Sequence, residues 1–234
     1  MTFRFRWLSA CIPAVLTIAV VCAGGAAAED PGGLVPPDVA AAAGWLGWAA
    51  APVAGKGCTA VLVAPDAVLT AAHCVTRDPA AALLVPKGLI FAPGWGGDLA
   101  QPVRRAIRID LPAPRQLLGG RLTLDLALVT LDAPVAGIAP LPPADAGEAA
   151  PHAILLGYAV TDPDHIHVAD CARTLEEYPV LGFDCPAVQG FSGGPVVVAT
   201  EGGWRLAAVI VARGKGAGLT GTYAVTVPGD LLPR

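Results

Sequence analysis

The sequence predicts an all-β fold whose antiparallel strands fall into two groups. Short apolar runs of strand length recur along the 234 residues, separated by Gly, Pro and Asp, and helical periodicity is scarce. Short strands at frequent intervals, with turn residues between them, are typical of antiparallel sandwiches or barrels. The chain is long enough for one large domain or two small ones with a packed core.

The predicted strands lie on either side of a segment rich in proline and small residues, 141–151. The first group consists of Trp45–Ala51, Cys58–Val63, Ala67–Thr70, Gly88–Phe91, Val103–Ile109 and Asp125–Leu131. The second group consists of Ala153–Val160, Pro195–Ala199, Arg205–Val211 and Thr222–Val227. We therefore expect an N-terminal barrel at 44–143, a linker at 144–151 and a C-terminal barrel at 152–234.

The N-terminus predicts export. Arg4 and Arg6 precede the apolar run Trp7–Val21, and the alanines at 26–28 end it with small residues, so residues 1–28 read as a signal peptide cut after Ala28. A retained membrane anchor is the alternative, but the apolar run is short for a membrane span. Residues 29–43 show no periodic apolar face and indicate a flexible mature N-terminus or a short propeptide. The expected location is secreted or periplasmic.

The charge balance argues against a nucleic-acid partner. The formal net charge is 15 − 19 = −4, and removal of 1–28, which contains two arginines and no acid, makes it 13 − 19 = −6. Nucleic-acid binding usually needs a basic face. The chain contains no asparagine, which excludes N-glycosylation.

Four cysteines remain after signal removal: Cys58, Cys74, Cys171 and Cys185. In an oxidising compartment an even number of cysteines indicates disulfides, and four cysteines allow three pairings. A zinc site is the alternative use of four cysteines, but no C-x-x-C pair occurs. We expect two disulfides, no metal and no cofactor.

Three motifs carry the residues needed for nucleophilic catalysis. Gly190-Phe191-Ser192-Gly193-Gly194-Pro195 places a serine among glycines, the segment 70–74 (TAAHC) supplies His73, and the apolar segment 122–128 (LTLDLAL) supplies Asp125. A serine hydroxyl needs a base to take its proton and donors to stabilise the oxyanion that it creates. A buried carboxylate in turn needs a donor, and His73 can be that donor.

In these three motifs and their order the chain resembles the trypsin/chymotrypsin family of serine peptidases, in particular its secreted bacterial branch. The order is His, Asp, Ser, whereas subtilisins run Asp, His, Ser and α/β-hydrolases run Ser, Asp, His. The gaps are 125 − 73 = 52 and 192 − 125 = 67 residues, which leave room for several strands. The resemblance covers about residues 44–228.

The resemblance implies fold, activity and site. It implies two six-stranded antiparallel β-barrels of chymotrypsin type with the active site in the cleft between them, and a monomer that cleaves protein or peptide substrates through an acyl-enzyme. His73, Asp125 and Ser192 would form the catalytic triad, and the N–H groups of Gly190 and Ser192 the oxyanion hole. It also implies the disulfides Cys58–Cys74 and Cys171–Cys185.

Two positions depart from the family pattern. Activated trypsin-like enzymes usually carry, just before the serine, an aspartate that pairs with a new N-terminal ammonium; here that residue is Phe191. The pocket-base aspartate of trypsin, six residues before the serine, is replaced by Pro186. The expected pocket residues are Pro186, Gln189, Val211 and Arg213, so a preference for Arg or Lys is not supported. Arg213, with Lys215, leaves open a preference for Asp or Glu.

Two further alternatives remain at this point. A non-catalytic binding or regulatory protein on the same scaffold is possible because a fold does not dictate function, although such proteins often lose a triad member. The segment 161–167 (TDPDHIH) carries two histidines and two aspartates. Such a set suits either a solvated loop or a metal site.

Overall fold

The structure is a computed structural model, and it describes residues 33–48, 52–76, 86–96, 102–112, 125–145, 150–186, 188–214 and 220–233. The expected signal peptide at 1–28 lies outside the described residues. So do residues 29–32 of the expected flexible segment, Ala187, which follows the expected pocket residue Pro186, and Lys215.

The first six strands form a closed antiparallel barrel. They are β1 (Ala43–Gly47), β2 (Cys58–Ala64), β3 (Ala67–Thr70), β4 (Ile90–Pro93), β5 (Arg104–Asp110) and β6 (Ala127–Leu131). Their order in the sheet is β1-β2-β3-β6-β5-β4, and the pairing of β1 with β4 closes it. Valine, leucine and threonine dominate β2, β3 and β6, as expected for strands that pack against neighbours on a pleated surface.

The last six strands form a second closed barrel. They are β7 (His152–Ala159), β8 (Asp162–Glu177), β9 (Val180–Phe183), β10 (Pro195–Thr200), β11 (Gly203–Arg213) and β12 (Thr222–Thr226). The order is β10-β11-β12-β9-β8-β7, closed by the pairing of β7 with β10. Two closed barrels confirm the predicted fold class. Closure leaves neither sheet with an unpaired edge.

Two strands were missed in the sequence, β8 and β9. The segment 161–167, which suggested a solvated loop, instead begins β8, and most side chains of this strand are half-buried or exposed. Because β8 pairs with β7 on one side and β9 on the other, its backbone hydrogen bonds are satisfied without a buried apolar face. A charged and polar strand of this kind lacks the apolar run on which the prediction relied.

The two helices are short. In the part of the chain that the structure describes, α1 (Pro37–Ala41) and α2 (Ala72–Val75) have five and four residues, and no helix is long and apolar enough to cross a membrane. Val35 and Val39, four residues apart, are buried in the core beside the first barrel. The described part of the segment expected to be a flexible mature N-terminus or a short propeptide thus places an i, i+4 apolar pair in the core.

The apolar core is continuous between the barrels. One cluster of buried side chains includes Val61 and Leu69 of the first barrel together with Val197, Val209 and Val211 of the second. A separate cluster, which includes Leu155, Phe183 and Phe191, fills the second barrel. The shared core fixes the first barrel against the second and so fixes the loops that meet between them.

Candidate active site

His73 and Asp125 are brought together by the first barrel. His73 lies in α2, directly after β3, and Asp125 lies two residues before β6, the neighbour of β3 in the sheet. The Nδ1 atom of His73 is 2.6 Å from Oδ2 of Asp125, and the backbone N–H of His73 donates to Oδ1 over 2.9 Å. One residue thus engages both carboxylate oxygens, which fixes the position of the ring relative to the carboxylate.

This geometry assigns roles to the ring nitrogens of His73. A carboxylate oxygen accepts hydrogen bonds, so Nδ1 carries a hydrogen and donates it in the bond to Asp125. In the neutral ring Nε2 is then the basic nitrogen. The side chain of Asp125 is 20% exposed and that of His73 is 48% exposed. The carboxylate is therefore largely shielded while the imidazole remains accessible to a substrate.

A disulfide holds the backbone beside the histidine. Cys74 follows His73 and is bonded to Cys58 at the start of β2. The second disulfide joins Cys171 in β8 to Cys185 after β9. These are the two pairs that the family resemblance implies. Two clusters have the spacing of a metal site: Cys58, His73 and Cys74, and Cys171, Asp184 and Cys185. Because their cysteines are joined in disulfides, they have no free thiolate to bind a metal.

Ser192 lies in a loop, Gln189–Gly194, that we call the serine loop. The carbonyl oxygen of Ser192 accepts a 2.9 Å hydrogen bond from the N–H of Thr59 in β2, and the Sγ atom of Cys74 lies 3.7 Å from the same oxygen. The loop therefore packs directly on the strand next to the histidine. Within the described residues no hydrogen bond joins the Ser192 hydroxyl to His73. Catalytic hydrogen bonds are often long before substrate binds.

Gly193 allows this close packing. A side chain there would clash with the carbonyl oxygen of Thr59 and the hydroxyl of Thr70, and the residue has a φ of 85°, where glycine is favoured. Its N–H donates to the carbonyl oxygen of Ile210 in β11 over 2.7 Å. The glycine therefore lets the serine loop of the second barrel approach β2 and β3 of the first.

Two N–H groups of the serine loop have no acceptor within the described part of the chain. Among the described residues, the backbone N–H of Gly190 and that of Ser192 donate to no acceptor. Buried or partly buried backbone donors are nearly always paired, so two open donors flanking Phe191 are unusual. Such a pair of donors can stabilise the negative charge of an oxyanion by hydrogen bonds.

Phe191, between these donors, is buried. It is 7% exposed and belongs to the apolar cluster of the second barrel. Its ring lies against the backbone of Gly157, and the ring of His167 lies 6.0 Å away between centroids. The position that carries an aspartate in activated trypsin-like enzymes is thus part of a hydrophobic core here.

The expected pocket residues do not all share one environment. Pro186, Gln189 and Arg213 are exposed, whereas Val211 is buried in the core between the barrels. The acidic residue nearest in sequence before the pocket segment, Asp184, accepts a 2.9 Å hydrogen bond from the N–H of Ala172. The described residues between Asp184 and Ser192 carry no charged side chain, and the carboxylate of Asp184 is hydrogen-bonded to the neighbouring strand β8.

A cavity of about 470 Å³ lies beside His73 on the side of the first barrel. It was not predicted, because its lining comes from the ends of β1 and β2 and the turn between them, where no motif marks it. Its lining residues are Leu46, Gly47, Trp48, Lys56, Gly57, Cys58, His73 and Cys74. A second cavity of about 550 Å³, near Arg108 and Asp230, includes none of His73, Asp125 and Ser192.

The histidines of β8 form ion pairs with an aspartate. Nδ1 of His165 is 2.8 Å from Oδ1 of Asp162, and Nε2 of His167 is 3.4 Å from Oδ2. The hydrogen bond between the side chains of Asp162 and His165 raises the pKa of His165 and lowers the pKa of Asp162. The side chain of His165 is 66% exposed, whereas Asp162 and His167 are half-buried and Nε2 of His167 is itself buried. Ion pairing therefore accounts for the set that suggested a metal site.

Thr59 is the residue of this region that sequence reasoning missed. It is fully buried, and its hydroxyl donates to the carbonyl oxygen of Gly190 over 2.9 Å. The two residues are 131 positions apart. A threonine within an apolar strand gives no sign of such a distant partner.

One comparison with known proteins identifies a family for this chain. A family model described as a trypsin-like peptidase domain matches residues 58–209, a range that contains His73, Asp125 and Ser192. A comparison with curated proteins returns no match. The matched range spans 209 − 58 + 1 = 152 of the 234 residues, so the chain belongs to the trypsin-like peptidase family.

Proposed function

We propose that the protein is an exported serine endopeptidase in which His73, Asp125 and Ser192 act as a catalytic triad on protein or peptide substrates. The observation that carries this proposal is the paired contact of His73 with Asp125, which leaves Nε2 of His73 as the basic nitrogen. The two open N–H groups at Gly190 and Ser192 add support.

In the proposed acylation step, Nε2 of His73 takes the proton of the Ser192 hydroxyl while Oγ bonds to the carbonyl carbon of the scissile peptide. The carbonyl π electrons move to oxygen, and the N–H groups of Gly190 and Ser192 stabilise the negative charge. Asp125 stabilises the imidazolium that forms. The C–N bond then breaks, and the amine leaves with the proton from His73, which gives the acyl-enzyme.

In the proposed deacylation step, water attacks the ester carbon and gives its proton to Nε2 of His73. The tetrahedral intermediate collapses, the bond from carbon to Ser192 Oγ breaks, and the proton returns to Oγ. The carboxylic acid product leaves. Each donor to the oxyanion contributes on the order of 3 kcal/mol to the transition state.

We propose export with removal of residues 1–28, and barrels at 44–143 and 152–234 joined by 144–151. Two disulfides are typical of extracellular or periplasmic proteins.

At the proposed boundary between the barrels, the carbonyl oxygen of Leu206 accepts a 2.9 Å hydrogen bond from the N–H of Ala144, and the N–H of Leu206 donates to the carbonyl oxygen of Pro142 over 2.8 Å. These bonds tie the chain between the barrels to β11.

The proposal is tested by labelling with a fluorophosphonate probe, which reacts with activated serines. Ser192 is the only serine of residues 29–234, so an adduct on a serine of that chain identifies Ser192 without ambiguity. The protein is produced with both disulfides oxidised, labelled, digested and mapped by mass spectrometry. Failure of the folded protein to take the probe would instead support a non-catalytic binding protein on this scaffold.

Substitutions complete the test. Ser192→Ala, His73→Ala and Asp125→Asn should each lower kcat by several orders of magnitude, about 10⁴-fold or more, with folding intact. His165→Ala removes a histidine outside the candidate site and serves as the matched control for His73→Ala. Near wild-type turnover in Ser192→Ala would refute the mechanism.

A further inference from the structure

The four carbonyl groups of Gln189–Ser192 are all hydrogen-bonded. In a trans peptide the C=O of one residue and the N–H of the next point in opposite directions, so a bond to the carbonyl also sets the direction of that N–H. The donors are Val160 N to Gln189 O at 2.9 Å, Thr59 Oγ1 to Gly190 O at 2.9 Å, Gly194 N to Phe191 O at 2.8 Å and Thr59 N to Ser192 O at 2.9 Å.

Thr59 supplies two of these four donors. Its hydroxyl binds the carbonyl oxygen of Gly190 and its N–H binds that of Ser192, on either side of Phe191. The hydroxyl also accepts a 2.9 Å hydrogen bond from the N–H of Tyr158, and the carbonyl oxygen of Thr59 accepts one from Thr70 over 2.8 Å. Every polar group of this fully buried residue is thus used.

The hydroxyl of Thr59 is the only side-chain group among those four donors. Its loss would leave the carbonyl oxygen of Gly190 and the N–H of Tyr158 without partners in a buried place, which is unfavourable. Rotation of the Gly190–Phe191 peptide toward water would relieve this. That rotation would turn the N–H of Phe191 away from the carbonyl oxygen of Val188, to which it donates over 3.2 Å, and so would release the turn on which the N–H groups of Gly190 and Ser192 lie.

The serine loop itself carries no charged side chain that could form an ion pair. The residue before Ser192 is Phe191, whose side chain is apolar and buried, so it cannot bind an ammonium group. Phe191 anchors the loop by packing, but packing of a ring constrains the direction of a peptide group less than a hydrogen bond does. The orientation of the donors therefore depends on the hydrogen bonds from the first barrel, from Val160 and from Gly194.

We propose that Thr59 is a positioning residue whose hydroxyl, by holding the carbonyl group of Gly190, keeps the N–H groups of Gly190 and Ser192 directed at the oxyanion. This inference rests on the proposed peptidase function. It assigns to a side chain of the first barrel the task of preorganising the serine loop of the second. The loop is then held ready for catalysis without an ammonium partner.

The test compares Thr59→Val, which removes the hydroxyl at nearly constant shape, with Thr59→Ser, which keeps it. Misplacement of an oxyanion donor costs catalysis rather than substrate binding, so kcat of Thr59→Val should fall about 10- to 100-fold while KM changes less than about threefold. A peptide boronate, which mimics the tetrahedral intermediate, should bind more weakly by a similar factor. Thr59→Ser should keep kcat within about threefold of wild type.

Phe91→Leu is the matched control for stability. Phe91 is buried in β4 of the same barrel and lies outside the serine loop, so this variant lowers stability without touching the Thr59 hydroxyl. All rates are expressed per probe-reactive site. If Thr59→Val does not fold, Thr59→Ala, whose smaller side chain leaves room for water, is judged by the same criterion.

Two outcomes overturn the inference in distinguishable ways. In the first, the wild-type protein is labelled by the probe, but Thr59→Val has the same kcat and boronate affinity as Phe91→Leu. This outcome refutes the role of Thr59 and leaves the proposed function standing. A folded wild-type protein that takes no probe and cleaves no peptide refutes the proposed function and this inference with it.

Discussion

The ring of Phe191 packs against the backbone of Gly157 so closely that a Cβ atom on Gly157 would lie 2.6 Å from Cγ of the ring. Gly157 lies in β7, in the middle of the second barrel, and Phe191 precedes Ser192. Because Gly157 has no side chain, it leaves the space that the ring of Phe191 fills. This contact anchors the serine loop to the barrel.

A methyl group at Gly157 should disturb that anchor. Gly157→Ala would force the ring or the strand to move, and overpacking of a well-packed core costs about 1–3 kcal/mol. We expect denaturant unfolding to show a loss of this size, and fluorophosphonate labelling to slow. Gly229→Ala, where the added Cβ would meet no atom within 4 Å, is the control and should change neither. Equal stability of the two variants would show that the core absorbs the methyl group.

The peptidase should need no cleavage that frees a new N-terminus. The residue before Ser192 is the buried Phe191, so this position offers no carboxylate to receive an ammonium group. Residues 29–234 and a form with several extra N-terminal residues should therefore have kcat values within about threefold of each other. A large loss in the extended form would show that 29–43 acts as an inhibitory propeptide, or that another acid replaces the missing one.

The two disulfides should contribute similarly to stability and differently to activity. Their sequence separations of 16 and 14 residues correspond to about 3 kcal/mol each from loop closure in the unfolded chain. Replacing Cys58 and Cys74 by alanine should also lower kcat, because these cysteines adjoin Thr59 and His73. Replacing Cys171 and Cys185 should mainly lower the free energy of unfolding. Mass mapping of non-reduced digests checks the pairing, and a free thiol in the exported protein would contradict it.

The ion pair of Asp162 and His165 should make a small, pH-dependent contribution to stability. The raised pKa of His165 means that its contribution is complete below the unfolded-state pKa of about 6.5 and is lost as pH rises through the folded-state pKa. The lowered pKa of Asp162 means that its contribution is complete above about pH 4 and is lost at lower pH. The pair therefore stabilises most near about pH 5.

Melting temperatures test this window. His165→Ala should lower Tm more at about pH 5 than at about pH 8, and by less than about 3 °C, because an exposed ion pair contributes at most about 1 kcal/mol. His152→Ala, at an exposed ion pair with Asp170 on the same sheet, is the comparison. The same change in Tm at both pH values would show that the ion pair of His165 does not contribute.

The two barrels were predictable from local patterns of apolar and turn residues, and the candidate active site was predictable from three local motifs. Strands such as β3 and β10 were predictable because apolar residues fill them and turn residues bound them. β8 was not, since its polar side chains need no core and its pairing partners lie elsewhere in the chain. Thr59 was missed for the same physical reason: its partners are 99 and 131 residues away. Only the folded barrels bring them together.

The last prediction concerns the residue on the N-terminal side of the cut. Pro186 supplies no charge at the expected base of the pocket, and Asp184 is held by the N–H of Ala172. A desolvated Lys or Arg side chain would find no counter-ion there, at a cost of several kcal/mol, so these residues should be poor substrates. Small and medium apolar residues should be cleaved faster.

A mixed peptide library decides the preference, with Arg213→Gln as the companion variant. Arg213 is exposed at the end of β11, where its guanidinium group would favour Asp or Glu if it reached the pocket mouth. Loss of the positive charge should leave apolar cleavage unchanged if the pocket is apolar, whereas an acidic preference that disappears in Arg213→Gln would assign the specificity to this residue. Dominant cleavage after Arg or Lys would show instead that the pocket lies elsewhere, because a buried cation requires a carboxylate that this segment does not offer.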